Sequence, residues 1–528
     1  MSNTLKHTPV AEIPGIVNGL REAFLTGKTR DLSYRKKQLK QFVFMIKDNQ
    51  DAFIQAINKD LGRPPMETEF GEIFSILNEL VEYIDNLSKW ARDTHPPSEL
   101  AFVLHKSRVR KEPKGTVLVM GAWNYPITVQ LGPVVPAIAA GNTVVIKPSE
   151  LAPHSAQLIA ELVPKYLDPQ TVRVVNGAID ESTALLDQRF EHIFYTGNGR
   201  VGSIVAAKAA RWLCPTTLEL GGKSPVIIDK TANLAVAAHR IVWAKTFNAG
   251  QTCIAPDYIL IDRSVQDKFI EEVKKVCKGF WPESIKASKN FSRIVSDRHW
   301  KRVHDLASKS KGEVVVGDIS EAEESERFLP FVVLKNVPTD DSTMEDEIFG
   351  PVLPLVPIDN IRGAVDFINS RDQPLALYMF TNSDAVAEYI LTYTRSGAAI
   401  RGDMLLHFFI KGLPFGGTGP AGYGLYHGKA GFDCFTHERA YVDAPSQGPV
   451  GFIVEKLLSL RYPPYSSLKI QLLRLSVLKY IFFGKPANPH ESNTSITRGP
   501  VQRITPYLKK LVYTILFIAV LVALRGDN

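Results

Sequence analysis

The sequence predicts an α/β protein built on a doubly wound, mainly parallel sheet. Three observations carry this. Short apolar runs at 116–120, 142–146, 172–175 and 192–195 are separated by apolar-periodic stretches at 127–140, 152–166, 181–188 and 201–213. Strand-length runs alternating with helical periods imply βαβ units and parallel pairing. A second alternation begins with a strand at 225–229, a helix to about residue 248 and a strand at 258–261, and continues to about Arg401. Finally, the chain has 528 residues, 45% hydrophobic and 22% charged, which is too long for one core and ordinary for a globular protein.

The elements outside these alternations read as follows. Residues 11–93 are expected to be helical, with Phe53, Ile54, Ile57 and Leu61, then Phe70, Ile73, Phe74, Leu77, Leu80 and Val81, at helical spacing. Thr94-His95-Pro96-Pro97 ends that pattern. Residues 101–111 alternate and are charged on one face, as an exposed strand or arm would be. Residues 468–483 are basic and apolar, but Lys469, Arg474 and Lys479 recur every five residues, which spreads charge around a helix and makes it poorly amphipathic. Residues 484–499 are a polar linker.

The segment 511–524 carries no charge. As a helix it spans about 21 Å against a hydrocarbon core of about 30 Å, and the flanking Lys509, Lys510 and Arg525 can snorkel to extend it. A buried terminal helix is the other reading. The polar linker, the Lys pair and the four residues that follow favour a membrane anchor over 508–524.

Four cysteines without paired spacing (Cys214, Cys253, Cys277, Cys434) argue against a disulfide scaffold and a zinc site, so no metal is expected and a reducing compartment fits. The N-terminus has no signal-type apolar run. From Glu455 onward eleven basic side chains face three acidic ones, a net +8 within a chain total of +7, so the preceding residues sum to −1. A nucleic-acid footprint needs a basic folded face and is not expected, whereas a basic tail suits an anionic membrane surface.

Several motifs sit at predicted strand ends, where ligands of doubly wound sheets bind. Phe247-Asn248-Ala249-Gly250-Gln251-Thr252-Cys253 offers one thiol after a flexible Gly. Leu218-Glu219-Leu220 places a carboxylate between leucines, which suits a raised pKa and a general base, although by itself the motif reads better as a helix-capping or ion-paired Glu. Asn124, in Trp123-Asn124-Tyr125-Pro126, is an amide donor for an oxyanion or an ordinary Asn turn. Gly197-Asn198-Gly199-Arg200-Val201-Gly202 matches G-x-G-x-x-G, with Glu219 lying 17 residues beyond Gly202 where a ribose-binding acid is sought. Lys147, in Lys147-Pro148-Ser149-Glu150, can hold ribose hydroxyls or a phosphate. Glu347 and Phe349, two residues apart, can grip a ribose and a ring. Leu413-Pro414-Phe415-Gly416-Gly417-Thr418-Gly419 is a glycine loop.

Taken together and in this order, the motifs resemble the aldehyde dehydrogenase superfamily over roughly residues 11–441, most closely the class 3 fatty aldehyde dehydrogenases and, within them, the fungal hexadecenal dehydrogenases. The resemblance implies a Rossmann-type cofactor domain (1–100 and 113–221), an α/β catalytic domain (222–412), a bridging β arm (101–112 and 413–446), a basic tail and linker (447–507) and a C-terminal transmembrane helix. It also implies Cys253 as the nucleophile forming a thiohemiacetal and then a thioester, Asn124 with the Cys253 N–H as oxyanion donors, and Glu219 as the base activating water. Lys147 and Glu150 match adenosine-ribose contacts, 197–202 the pyrophosphate turn, and Glu347 and Phe349 the nicotinamide-ribose side. NAD is the implied cofactor, with NADP left open: Glu150 suits a free 2′-hydroxyl.

Two departures stand out, the extra Gly199 and Pro420-Ala421 in place of small polar residues. The expected activity is oxidation of long-chain aldehydes such as hexadecanal, by a homodimer held to membrane lipids with its body in the cytosol. The endoplasmic reticulum is the first expectation for the membrane; mitochondrial outer membrane, lipid droplet and peroxisome accept similar tails. An aromatic or short-chain aldehyde substrate is one rival reading, and a catalytically silent membrane scaffold another.

Overall fold

The computed structural model describes residues 5–98, 102 and 104–477. Two compact units are formed, one from Met1–Ala91 and Glu112–His437, the other from Arg92–Lys111 and Glu438–Asn528. The expected anchor at 508–524 lies outside the described residues, among which no helix is long and apolar enough to cross a membrane.

The first unit contains two sheets. Six strands run in the order Gly422–Tyr423, Thr216–Leu220, His192–Gly197, Thr116–Met120, Thr143–Lys147, Val172–Val174. All pair in parallel except Gly422–Tyr423. The order reverses between Thr116–Met120 and His192–Gly197, which places the switch-point crevice beside the Trp123-Asn124 loop and the Gly197 turn. Thr116–Met120 and Thr143–Lys147 are buried throughout because helices cover both faces, which explains their uninterrupted apolar runs.

The second sheet has seven strands, in the order Ala398–Arg401, Ala376–Phe380, Pro225–Ile228, Tyr258–Asp262, Val352–Ile358, Val332–Lys335, Glu313–Val316. Only the last of these pairs antiparallel. Helices Leu32–Lys47 and Phe74–Trp90 pack on each other, and Leu32–Lys47 also packs on Val134–Ala140. One apolar core runs from these helices through both sheets.

Two local expectations change. The helix expected over 127–140 splits into Thr128–Leu131 and Val134–Ala140, because Pro133 has no N–H to continue the ladder. Glu219 lies on a strand, not at a cap. Gly422 pairs with Glu219 at φ 111°, where any Cβ would strike the Leu218 carbonyl.

The second unit contains most of a two-stranded sheet of Lys106–Pro113 and Thr436–Asp443. Lys111 pairs with Glu438 across it, and Arg108 stacks 4.6 Å from the Tyr441 ring centroid while bonding Asp93 at 3.2 Å. Helices Gly448–Leu458 and Ser467–Val477 follow.

Candidate active site

The helix Leu234–Thr246 is capped by Asn233, whose side chain accepts the Val236 N–H. It ends in a turn whose backbone is left-handed at three successive residues: Asn248 (φ 54°, ψ 31°), Ala249 (φ 52°, ψ 34°) and Gly250 (φ 73°). For the two residues with a Cβ this costs roughly 1–2 kcal/mol each. At Gly250 a Cβ would collide with the Gly350 carbonyl, so only glycine fits.

A dense set of hydrogen bonds holds the turn. Glu67 Oε2 accepts from Asn248 N at 2.9 Å, and Asn248 Nδ2 donates to the Asn124 and Gln251 carbonyls at 3.0 and 3.1 Å. Gln251 Nε2 donates to the carbonyls of Asn248 and Arg293, both at 3.0 Å, and its Oε1 accepts from Val295 N at 3.0 Å. Strain that persists under so many constraints is a mark of functional backbone.

Cys253 follows, half-buried. Its neighbours are pinned on both sides: Thr252 Oγ1 lies 2.7 Å from the Tyr125 hydroxyl, and Tyr378 Oη donates to the Ile254 carbonyl at 2.7 Å. Burial pushes the thiol up to about 12, helped by the charges of Glu347 and Glu219 and opposed by the backbone N–H groups of Cys253 and Ile254. The thiolate is the reactive form. Alkylation of Cys253 by iodoacetamide in the cofactor-free protein is therefore expected to quicken about tenfold per pH unit from pH 7 to 10 without a plateau. A plateau near pH 7, read by peptide mapping, would contradict this.

Asn124 is buried in the loop after Thr116–Met120, and one of its two amide N–H groups donates to the Gln251 carbonyl at 3.1 Å. The other is available to a developing oxyanion beside the turn. Glu219 is 4% exposed, with neither carboxylate oxygen hydrogen-bonded among the described residues, and burial holds its acid well above the usual carboxyl range. In the strand register it stands between Thr196 and Gly422. Glu219 lies near enough to Cys253 for its charge to act on the thiol, and Asn124 bonds the carbonyl two residues before Cys253.

The expected cofactor residues are placed as follows. Lys147 ends its strand with Nζ 3.1 Å from Glu150 Oε2. Gly197 ends His192–Gly197, and Asn198 caps the helix Gly199–Ala210 by accepting the Val201 N–H at 3.0 Å. Gly202 has a packing role: a Cβ there would sit 2.8 Å from Leu220. The Glu347 carboxylate lies where a Gly221 Cβ would be, and burial with Asp257 raises it to about 8 against the pull of Gly222 N–H, Lys223 and Arg302. Phe349, at φ 50°, meets Trp123 edge-on at 5.4 Å.

These residues fit a dinucleotide. A lysine with a carboxylate, a glycine turn opening a capped helix, and the buried, unpartnered Thr196 hydroxyl stand at the switch point.

Sequence reasoning missed the supports of this site. Arg63, Glu67 and Glu72 come from the N-terminal region read only as helices, and the break at Gly62-Arg63-Pro64-Pro65 is the one local signal. Lys245 gives no signal inside its helix; its ammonium is fully buried, has no hydrogen-bond partner among the described residues, and is lowered to about 8 by burial.

A mainly parallel doubly wound sheet, with a glycine turn opening a capped helix at its switch point and a half-buried thiol nearby, fits an oxidoreductase that takes a dinucleotide. Residues 4–441 match the family model described as the aldehyde dehydrogenase family, and the chain belongs to that family. It is 41% identical over 469 residues to aldehyde dehydrogenase family 3 member A2 of Rattus norvegicus, covering 89% of this chain and 95% of that one. It is 41% identical over 455 residues to the rat aldehyde dehydrogenase named dimeric and NADP-preferring, covering 86% and 98%. Among solved structures, the substrate-bound Staphylococcus aureus AldH superposes with TM-score 0.84 at 36% identity, covering 88% of this chain and 98% of that one. The protein is an NAD(P)-dependent aldehyde dehydrogenase.

Proposed function

We propose that the chain oxidises long-chain aldehydes to fatty acids with NAD while held at a membrane by its C-terminal segment. The observation carrying this is a chain of aromatic contacts that runs from the residue before Cys253 to an exposed apolar patch. Tyr125, bonded to Thr252, stacks on Phe247 at 6.4 Å, and Phe247 meets Trp243 at 5.6 Å and Phe70 at 6.5 Å. Phe70 packs on Phe409 at 4.7 Å, and the surrounding Met66, Phe74 and Ile410 are 80%, 50% and 54% exposed. An apolar chain laid along these rings gains about 0.8 kcal/mol per buried CH2. The uncharged segment 511–524 supports tethering, because aldehydes of this length partition into bilayers and meet a tethered enzyme at raised local concentration.

The Cys253 thiolate adds to the aldehyde carbon, and the resulting oxyanion accepts hydrogen bonds from the Asn124 amide and the Cys253 N–H. When bound, NAD would supply the hydride acceptor for oxidation of the Cys253 adduct to a thioester. Glu219 takes the proton of the water that hydrolyses this thioester, releasing the acid and the Cys253 thiol. Glu150 beside Lys147 favours NAD, since a 2′-phosphate would face its carboxylate. The dimeric rat relative supports a homodimer. The body faces the cytosol, with the endoplasmic reticulum as the membrane.

Two measurements test the reading. The kcat/KM for hexadecanal is expected to exceed that for acetaldehyde at least about tenfold, given the burial gain per methylene. Equal values would sink the lipid reading. Truncation after Pro500 is expected to release the protein from the membrane fraction; continued sedimentation with membranes would refute the anchor.

A further inference from the structure

Arg63 is fully buried in the break between the helices Gln50–Leu61 and Pro65–Thr68. Its guanidinium reaches three separate segments. Nη1 donates to Glu72 Oε1, Nε to Asn248 Oδ1 at 3.1 Å, and Nη2 to the Asn124 carbonyl. Its face lies 4.5 Å from the Tyr125 ring centroid. Glu72 sits on the π-turn Glu69–Ile73, and its second oxygen accepts from Ile127 N at 2.7 Å and Thr128 N at 2.9 Å. Turns of this kind are frequent at functional sites.

The oxyanion site is assembled from parts that belong to different sheets. The Asn124 amide follows a strand of the six-stranded sheet, while the Cys253 N–H follows the left-handed turn that leads into the seven-stranded one. Misplacement by about 1 Å in such a site can cost about a hundredfold in rate. Arg63 bonds both parts at once, and Glu72 fixes Arg63 while gripping the backbone just beyond Asn124.

We propose that Arg63 and Glu72 are positioning residues that set the spacing between the Asn124 amide and the nucleophile turn. This rests on the reading of Cys253 as nucleophile and Asn124 as oxyanion donor. Arginine is required because its planar fork donates in several fixed directions, whereas a lysine ammonium on a flexible stem cannot hold all three acceptors.

The test is a mutant cycle on the full-length enzyme with octanal and NAD. Arg63→Lys is expected to lower kcat about a hundredfold, as loss of an oxyanion donor does. The KM for NAD and the iodoacetamide rate at Cys253 should stay within about twofold, because displacement of iodide builds no oxyanion. A double variant Asn124→Ala/Arg63→Lys should be no slower than Asn124→Ala alone, since residues acting as a unit are non-additive.

Additive losses, or alkylation falling in step with kcat, would overturn the proposal. If Arg63→Lys does not fold, Glu72→Gln carries the same cycle; if neither variant accumulates as folded enzyme, the pair is structural and the proposal fails. Cys253→Ala runs beside them: activity surviving there defeats the nucleophile reading, a separate failure.

Discussion

Cys253→Ala is expected to lower the steady-state oxidation rate of octanal at least about 10⁴-fold while NAD binding, read by fluorescence titration, changes less than about twofold. Removing the nucleophile deletes the covalent route entirely, and no other thiol can take it over. Cys277 lies on the helix Gln266–Phe280. Cys434 contacts His192 and Thr217, and Cys214 the Pro215 carbonyl. Burial raises the thiols of all three. The left-handed turn keeps its own hydrogen bonds in the variant, because none of them uses the Cys253 side chain. A residual rate above about a hundredth of wild type would place the chemistry elsewhere.

Glu219→Gln is expected to separate the two halves of the reaction. One equivalent of NADH per site should form in a rapid burst, followed by a steady state slower by about 10²–10⁴, with the acyl group retained on Cys253 and visible as added mass. The amide is isosteric with the acid but cannot accept the proton of water. Loss of the burst itself would mean that Glu219 acts before the thioester forms.

The same variant has a stability signature. The buried acid has a folded pKa raised above its unfolded value, so the folded state binds the extra proton and wild-type stability falls as pH rises above the ordinary carboxyl range. Gln carries no such cost. The Tm difference between Glu219→Gln and wild type should therefore be small near pH 4 and turn increasingly in favour of the variant towards pH 8. A constant difference across that range would show that the acid is not held protonated.

Much of the frame is legible in local pattern. Thr116–Met120 and Thr143–Lys147 show as uninterrupted apolar runs because parallel strands are covered on both faces. The candidate residues at strand ends follow from the same rule, since loops after parallel strands meet in one crevice. The strand carrying Glu219 was not legible, because Leu218-Glu219-Leu220 has too little alternation to separate strand from cap. The split at Pro133 was written in the sequence but masked by the apolar residues around it.

By itself, the chain determined two parallel α/β sheets, a single chemically placed thiol and a basic, apolar C-terminal stretch. These depend on periodicity and composition, which neighbouring residues impose on one another. Only the tertiary structure decided that Glu219 stands unpartnered between Thr196 and Gly422, and that three residues before Cys253 turn left-handed. It also brought Arg63, Glu67 and Glu72 from the N-terminal helices to hold that turn and Asn124. Such contacts join residues 55 to 185 positions apart, and their energy lies in desolvation and hydrogen-bond geometry, which exist only once the two sheets have packed.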